Sequence, residues 1–259
     1  MATKKKIVSV GGADSAKSDY QFKPSDENKS KASTFRVIAF IGWIIAIGLE
    51  VFAIFKLLNP LNMTWLIVVV VIALALAITG NLLWKKATRL DPASEKNKFK
   101  FFVNNQLGAI MSALAFLPLL IMVLTNKDMS GKQKGILGSI VGVALLAAVG
   151  TGIDFNPPSV EQYTEQTRRV EELTGQNLVY WTASGRSYHL YNTCHHINRD
   201  VTKEIFEGTV ADARELKNIT DLCNTCANKA EKEKNNAFEE AVEMEDAEQI
   251  DEADIDEAA

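Results

Sequence analysis

The chain has 259 residues, a formal net charge of -4 and a mean hydropathy near zero, averages that combine a very apolar middle with a basic N-terminal end and an acidic C-terminal end. Three cysteines cannot all pair within one chain, which argues against a disulfide framework and for a reducing compartment. The first thirty-five residues are polar and lysine-rich without an apolar stretch, so no cleavable signal peptide is expected.

Residues 1–35 read as a basic tail, with Lys4, Lys5, Lys6, Lys17, Lys23, Lys29 and Lys31. Its ordinary role is to set topology and touch the membrane surface. Four apolar runs follow within 36–155: Val37 to Leu58, Trp65 to Trp84, Leu107 to Thr125 with Pro118 inside it, and Ile136 to Ile153. Each approaches or exceeds the roughly 20 residues needed to cross a bilayer core. A buried soluble helix explains one such run but not four in succession, so this region reads as a four-helix transmembrane bundle.

Basic residues near the span ends set its orientation. Arg36 and the tail lysines lie before the first span, and Lys85, Lys86, Arg89, Lys96, Lys98 and Lys100 lie between spans two and three. The first connection carries no charge, with Lys56 nearby, and the last has Lys127, Lys132 and Lys134 as weaker contrary evidence. The balance predicts a multi-pass protein of the inner or plasma membrane with both termini cytoplasmic, where thiols stay reduced.

Two features inside the spans carry a functional and a bland reading. Near the middle of an isolated span Glu50 would cost about 2.5 to 3.5 kcal/mol, but it falls nearer the outer end. A tolerated or packing-paired carboxylate is favoured over an ion path, because no second buried charge accompanies it. Gly138 and Gly142 form a Gly-x3-Gly pair, read as close packing within the bundle ahead of a homodimer face.

Asn156-Pro157-Pro158 ends the last span, and residues 156–178 read as a linker helix. Val160, Tyr163, Val170 and Leu173 form its apolar stripe, expected to pack on the following module, and Gly175 is its stop. Residues 179–228 change character. Val179 to Thr182 and Ser187 to Leu190 are β-prone runs around a turn at Ala183 to Arg186, which reads as a hairpin. Thr209 to Lys217 reads as a short helix with Ala211, Ala213 and Leu216 as its contacts, and Leu222 to Cys226 as a knuckle.

All cysteines and histidines of the chain lie in this module, as His189-x4-Cys194-x28-Cys223-x2-Cys226 with His195 and His196 beside the second position. Three thiolates and one imidazole suit tetrahedral zinc, and four protein ligands leave no position for a catalytic water. His189 leads His195 and His196 as the fourth ligand, since those two would need an awkward chelate against Cys194. Iron, or a redox Cys-x2-Cys pair, leaves His189 and Cys194 without a role. About fifty residues bury little core, so a structural ion supplies stability. The fold class expected is mainly α: the transmembrane bundle plus a small zinc-stabilised α+β module.

At Ser184 to His189 through Cys194, and again at Cys223-Asn224-Thr225-Cys226, the module resembles the metal-binding domain of the Ada DNA-alkylation repair family, with its Tyr-His-x4-Cys and Cys-x2-Cys pattern. That resemblance implies a small sheet-and-helix unit around zinc. The repair protein accepts a methyl group on a thiolate at the first ligand position, where this chain has His189, so methyl acceptance is not implied. The whole chain resembles a bacterial polytopic membrane protein.

Residues 229–259 read as an acidic, solvated tail, from Glu239 and Glu240 through Asp254, with a basic partner or a weak divalent-ion site as the sharper alternative. The functional expectation is a non-enzymatic membrane protein whose zinc module is an interaction or scaffolding surface for a protein partner. Two other readings stand beside it: a transporter or channel accessory regulated by the module, and a membrane-tethered nucleic-acid binder contacting phosphate through Arg186 and Arg199. Homo-oligomerisation is compatible with each.

Overall fold

The computed structural model describes residues 6–10, 22–58, 60–217 and 219–239. Residues 23–162 form one compact unit, and the described residues before Lys23 and from Tyr163 onward form a second.

The first unit holds four helices, α1 (Asp26–Phe52), α2 (Met63–Leu90), α3 (Lys98–Thr125) and α4 (Gly131–Gly152). All four are long and apolar enough to cross a membrane, as expected of a multi-pass protein. All four start before, and α2 also ends after, the apolar runs, because polar residues cap them. Ser25, Asn62 and Asn97 accept from the backbone amides of Asn28, Trp65 and Lys100, and Ser130 with Gln133 closes a capping box on α4. Directly after α1 the chain widens into a π-helical segment, Ala53–Leu57.

The inward faces repeat at three- and four-residue spacing and mix small with large apolar residues. Ala39 and Ala46 on α1, Ala53 just after it, Ala73 and Ala77 on α2, and Ala144 and Ala148 on α4 are all buried, and Leu66, Phe116, Leu119 and Leu137 fill the space between them. Other large apolar side chains point outward, with Ile44, Phe55 and Leu146 exposed by 64%, 73% and 74%. This is the pattern expected where lipid solvates the outside and close backbone approach holds the inside.

One polar side chain ties the four helices. Asn81 on α2 accepts from Trp43 Nε1 of α1 at 3.1 Å. Its amide nitrogen donates to Ser112 Oγ of α3 at 3.0 Å and, on α4, to the Ala148 carbonyl at 2.8 Å and Thr151 Oγ1 at 3.2 Å. Glycine makes room around it. A Cβ on Gly80 would meet Trp43 Nε1 at 2.6 Å, and one on Gly108 would meet Asn81 Oδ1 at 2.8 Å. At the same level a Cβ on Gly152 would lie 2.3 Å from the Ala109 backbone nitrogen, so α3 and α4 touch backbone to backbone there. The expected close approach at Gly138 and Gly142 is not where the helices meet most tightly: Gly142 has nothing within 4 Å and Gly138 meets only Leu124.

At one end of the bundle Arg36 donates to Asp91 Oδ2 at 2.6 Å and to its carbonyl at 2.8 Å. At that end Lys85 donates to the Ile153 carbonyl, and Gln106 exchanges hydrogen bonds with the Asp154 backbone.

The second unit contains α5 from Tyr163 onward (the helix runs Val160–Thr174), β2 (Val179–Trp181), β3 (Ser187–Tyr188), β4 (Glu204–Gly208), α6 (Val210–Lys217), β5 (Asp221–Leu222) and a final helix, α7, over residues 224–239. It also contains β1 (Lys6–Ser9), from the segment read as tail, which pairs in parallel with β4 from Lys6↔Glu204 to Ser9↔Glu207. The order is β1-β4-β2 in one sheet and β3-β5 in the other. The expected hairpin is thinner than its sequence implied. Its arms exchange hydrogen bonds only at Tyr180 and His189, because β2 takes β4 as partner and β3 takes β5.

Tyr163 and Val170 of the α5 stripe are buried, and Val170 joins the module core with Val179, Trp181, Tyr188 and Ile205. Gly175 ends the helix at a φ of 75°, and its amide bonds the Glu171 carbonyl. On α6 the buried face is Val210, Ala213 and Arg214, while Leu216, expected to pack, is 49% exposed. Arg214 instead bonds Gln166 Oε1 at 3.2 Å and lies over the Tyr163 ring at 5.0 Å, joining α6 to α5. Residues 229–239, read as the start of the tail, continue α7, and Ala230 enters the module core. The acidic run from Glu240 onward lies outside the described residues.

Interhelical polar bonds in membranes contribute about 0.6 kcal/mol each on average and up to about 1.7. Asn81→Leu breaks four of them, so it is expected to lower bundle stability by about 1–3 kcal/mol. Gly152→Ala should destabilise comparably through backbone overlap, whereas Gly142→Ala should be near neutral. Unfolding of the three variants in mixed micelles, followed by far-ultraviolet circular dichroism, measures this order.

Candidate metal centre

Each candidate ligand is held by local backbone bonding. The amide and carbonyl of His189 exchange hydrogen bonds with Tyr180 at 2.7 and 2.8 Å, which fixes the histidine just beyond β3. Cys194 sits in a tight turn: its amide bonds the Tyr191 carbonyl, and its own carbonyl accepts from Ile197 and Asn198. The Cys223 amide bonds the Tyr188 carbonyl, extending the β3–β5 pairing, and its carbonyl accepts from Ala227 as α7 begins. Cys226 therefore falls in the first turn of that helix. A two-residue spacer across a helix start turns both thiols toward one point.

His189, Cys194, Cys223 and Cys226 come together, although 28 residues separate the second from the third. Their ligand atoms all lie within 4.8 Å of one another, and the four side chains are buried. His189 Nδ1 and Cys226 Sγ are 3.7 Å apart. Tetrahedral ligands at zinc–sulfur and zinc–nitrogen bond lengths would stand about 3.5–3.8 Å apart, so one small ion fits the group. The three cysteines are free thiols.

His195 and His196 are exposed and lie outside this group. Their rings are 3.9 Å apart, and His196 Nε2 is 3.2 Å from Thr225 Oγ1. Tyr191, just upstream of Cys194, donates its hydroxyl to Glu233 on α7 at 2.5 Å and lies beneath Lys229, 4.3 Å from its ring. These contacts brace the loop carrying Cys194 against the helix carrying Cys226. Nothing in the local sequence pointed to them, since the partners are far apart in the chain.

A groove of about 880 Å³ runs beside the centre, with His189 and Cys223 among its lining. It also presents Arg169, Arg186 and His196 together with Glu165 and Asp221, so its charge is mixed.

Burial, and to a lesser degree the neighbouring His196 and His195 rings, push the His189 imidazole down to about 4. It is therefore neutral at physiological pH, the state in which it donates a lone pair to a metal. Burial pushes the Cys226 thiol up to about 12. A thiolate at that position calls for a cation beside it, and a metal ion supplies one while releasing the proton.

No protein-family model matches the chain, no curated protein matches it, and no solved structure matches it.

Protonation of His189 opposes both folding and metal binding. Because its folded value lies below that of the unfolded chain, the unfolded state takes up the proton first. Module stability should thus be complete above about pH 6.5 and fall as pH drops toward about 4. Tryptophan fluorescence during acid titration, with a metal indicator in the same cuvette, checks this window. His189→Ala should lose the metal, while a His195→Ala/His196→Ala double variant should retain it.

Proposed function

We propose that the chain is a non-enzymatic, multi-pass membrane protein whose C-terminal module is held by a structural zinc ion and serves as a docking surface for a protein partner on the cytoplasmic side. The observation that carries this reading is the closed set of four buried ligand atoms within 4.8 Å. Three thiolates and an imidazole match zinc among the common biological ions, and four protein ligands fill a tetrahedral sphere. The ion's role is then to fold a small unit rather than to activate water. The likeness to Ada-like zinc modules rests on the ligand spacing alone.

Several features support a protein partner over nucleic acid. The groove beside the centre mixes Arg169 and Arg186 with Glu165 and Asp221, whereas phosphate binding favours one sign of charge. Arg199, the second residue considered for phosphate, is not among its lining. The cytoplasmic orientation rests on the basic residues. Arg36, Lys85, Arg89, Lys98 and Lys100 cluster at the helix termini of one bundle end, while Lys56, Lys127, Lys132 and Lys134 are at the other.

Elemental analysis of the purified full-length protein should find one zinc per chain. Cys223→Ser should weaken retention by more than the about 10–100-fold that an outer-shell change costs. Cobalt in place of zinc should give the intense visible bands of a tetrahedral thiolate site. Retained zinc in Cys223→Ser, or octahedral cobalt spectra, would remove the ligand set and with it the structural role. For orientation, a protease added to intact cells should leave tags at both termini uncut.

A further inference from the structure

Among the described residues, the bundle holds one buried ionisable side chain, and the metal module does not use it. Glu50 is 2% exposed, and neither of its carboxylate oxygens has a hydrogen-bond partner among the described residues. It lies on the inward face of α1 between Ala46 and Ala53, both fully buried. The stretches 37–55, 63–84, 101–126 and 135–153 contain no other Asp, Glu, Lys, Arg, His, Cys or Tyr. No charged or titratable group on α2, α3 or α4 therefore faces it from within the bundle. Along its own helix the nearest charges are Lys56, six residues on and exposed, and Arg36, fourteen residues back and paired with Asp91. At the Lys56 end the α3–α4 connection adds Lys127 and Asp128, both exposed, and the first turn of α4 adds Lys132, exposed, and Lys134, half-buried. None of them bonds the carboxylate.

A second observation marks the same place. The π-helical segment Ala53–Leu57 begins three residues after Glu50. The Ala53 amide there is shared between the Glu50 and Leu49 carbonyls. Such segments are uncommon and recur at functional sites, where they re-aim the side chains of the adjoining turn. At about 1.5 Å per residue, Glu50 lies about 9 Å along the helix from Lys56 and about 21 Å from Arg36, so the Lys56 end is its nearer route to water.

We propose that Glu50 is a reversible proton-binding site of the transmembrane bundle. A carboxylate anion buried this deeply, with neither oxygen bonded among the described residues, has no compensating charge, and the site must take a cation. Metal cations require several oxygen ligands, whereas one carboxylate is a complete site for a proton. The site exchanges its proton with the Lys56 end of the bundle. This reading is independent of the zinc module, and its failure would leave that module's role untouched.

The full-length protein in lipid nanodiscs tests it with two carbodiimides, the hydrophobic dicyclohexyl compound and a charged water-soluble one. The neutral carboxyl adds across a carbodiimide C=N bond: its oxygen bonds the central carbon, its proton goes to nitrogen, and the adduct rearranges to a stable acylurea. Peptide mass spectrometry should find the hydrophobic adduct on Glu50 at neutral pH, formed about tenfold or more faster than the charged one. On the alkaline side its rate should fall about tenfold per pH unit and recover when the pH is returned. A neutral-carboxyl stretching band in the infrared should follow the same reversible course and be absent from Glu50→Gln of unchanged helix content. Absence of an adduct on folded protein, or a rate indifferent to pH, overturns the proposal. Protection by sodium but not choline at constant pH also overturns it, in favour of an alkali-cation site.

Discussion

Four donor atoms within 4.8 Å join the stretch 189–194 to the stretch 223–226, and most of the second unit is arranged around that junction. The β3–β5 pairing leads directly into it, since the Cys223 amide bonds the Tyr188 carbonyl. α7 starts from it, with Cys226 in its first turn, and Tyr191 reaches from the Cys194 loop to Glu233 further along the same helix. The apolar core beside it is modest: Val170, Val179, Trp181, Ile205 and their neighbours. A domain this small gains limited stability from burial alone, and a metal ion held by these four donors would contribute free energy the core lacks.

The bundle meets a related constraint by different means. Between helices in lipid the hydrophobic effect does not discriminate, because an exposed leucine is as well solvated as a buried one. What remains is close packing and hydrogen bonding, and both concentrate at one level. Asn81 bonds a residue on each of the other three helices, and Gly80, Gly108 and Gly152 allow the approach that makes those bonds short. A single asparagine thereby specifies the register of all four helices, in a way that interchangeable alanines and leucines do not.

Some of this was legible in the residues themselves. The four spans follow from length and apolarity, and all four helices form where those runs lie. Donor type and spacing single out His189, Cys194, Cys223 and Cys226, and their four side chains come together while His195 and His196 lie outside the group. Other features were hidden. β1 lies in a segment whose lysines read as tail, and its pairing with β4 spans nearly two hundred residues. On α6, Ala213 is buried as its sequence implies but Leu216 is exposed, because Arg214, which looks like a surface residue, takes the inward position beside Gln166 and the Tyr163 ring. Gly138 and Gly142 have the familiar Gly-x3-Gly spacing, yet the tight contact falls at Gly152, where the residue four back is Ala148 rather than a second glycine.

By itself the amino-acid order determined the local quantities: which stretches prefer lipid, where helices are capped, and which side chains are soft metal donors. Those depend on neighbours a few residues apart, through transfer free energy, backbone capping and ligand chemistry. The tertiary structure alone decided which distant groups share a point. It chose Asn81 as the hub, gave β4 the N-terminal strand as partner, and left Glu50 facing inward with no hydrogen-bond partner among the described residues. Such choices arise from packing between elements, where a shift of one residue exchanges a buried face for an exposed one.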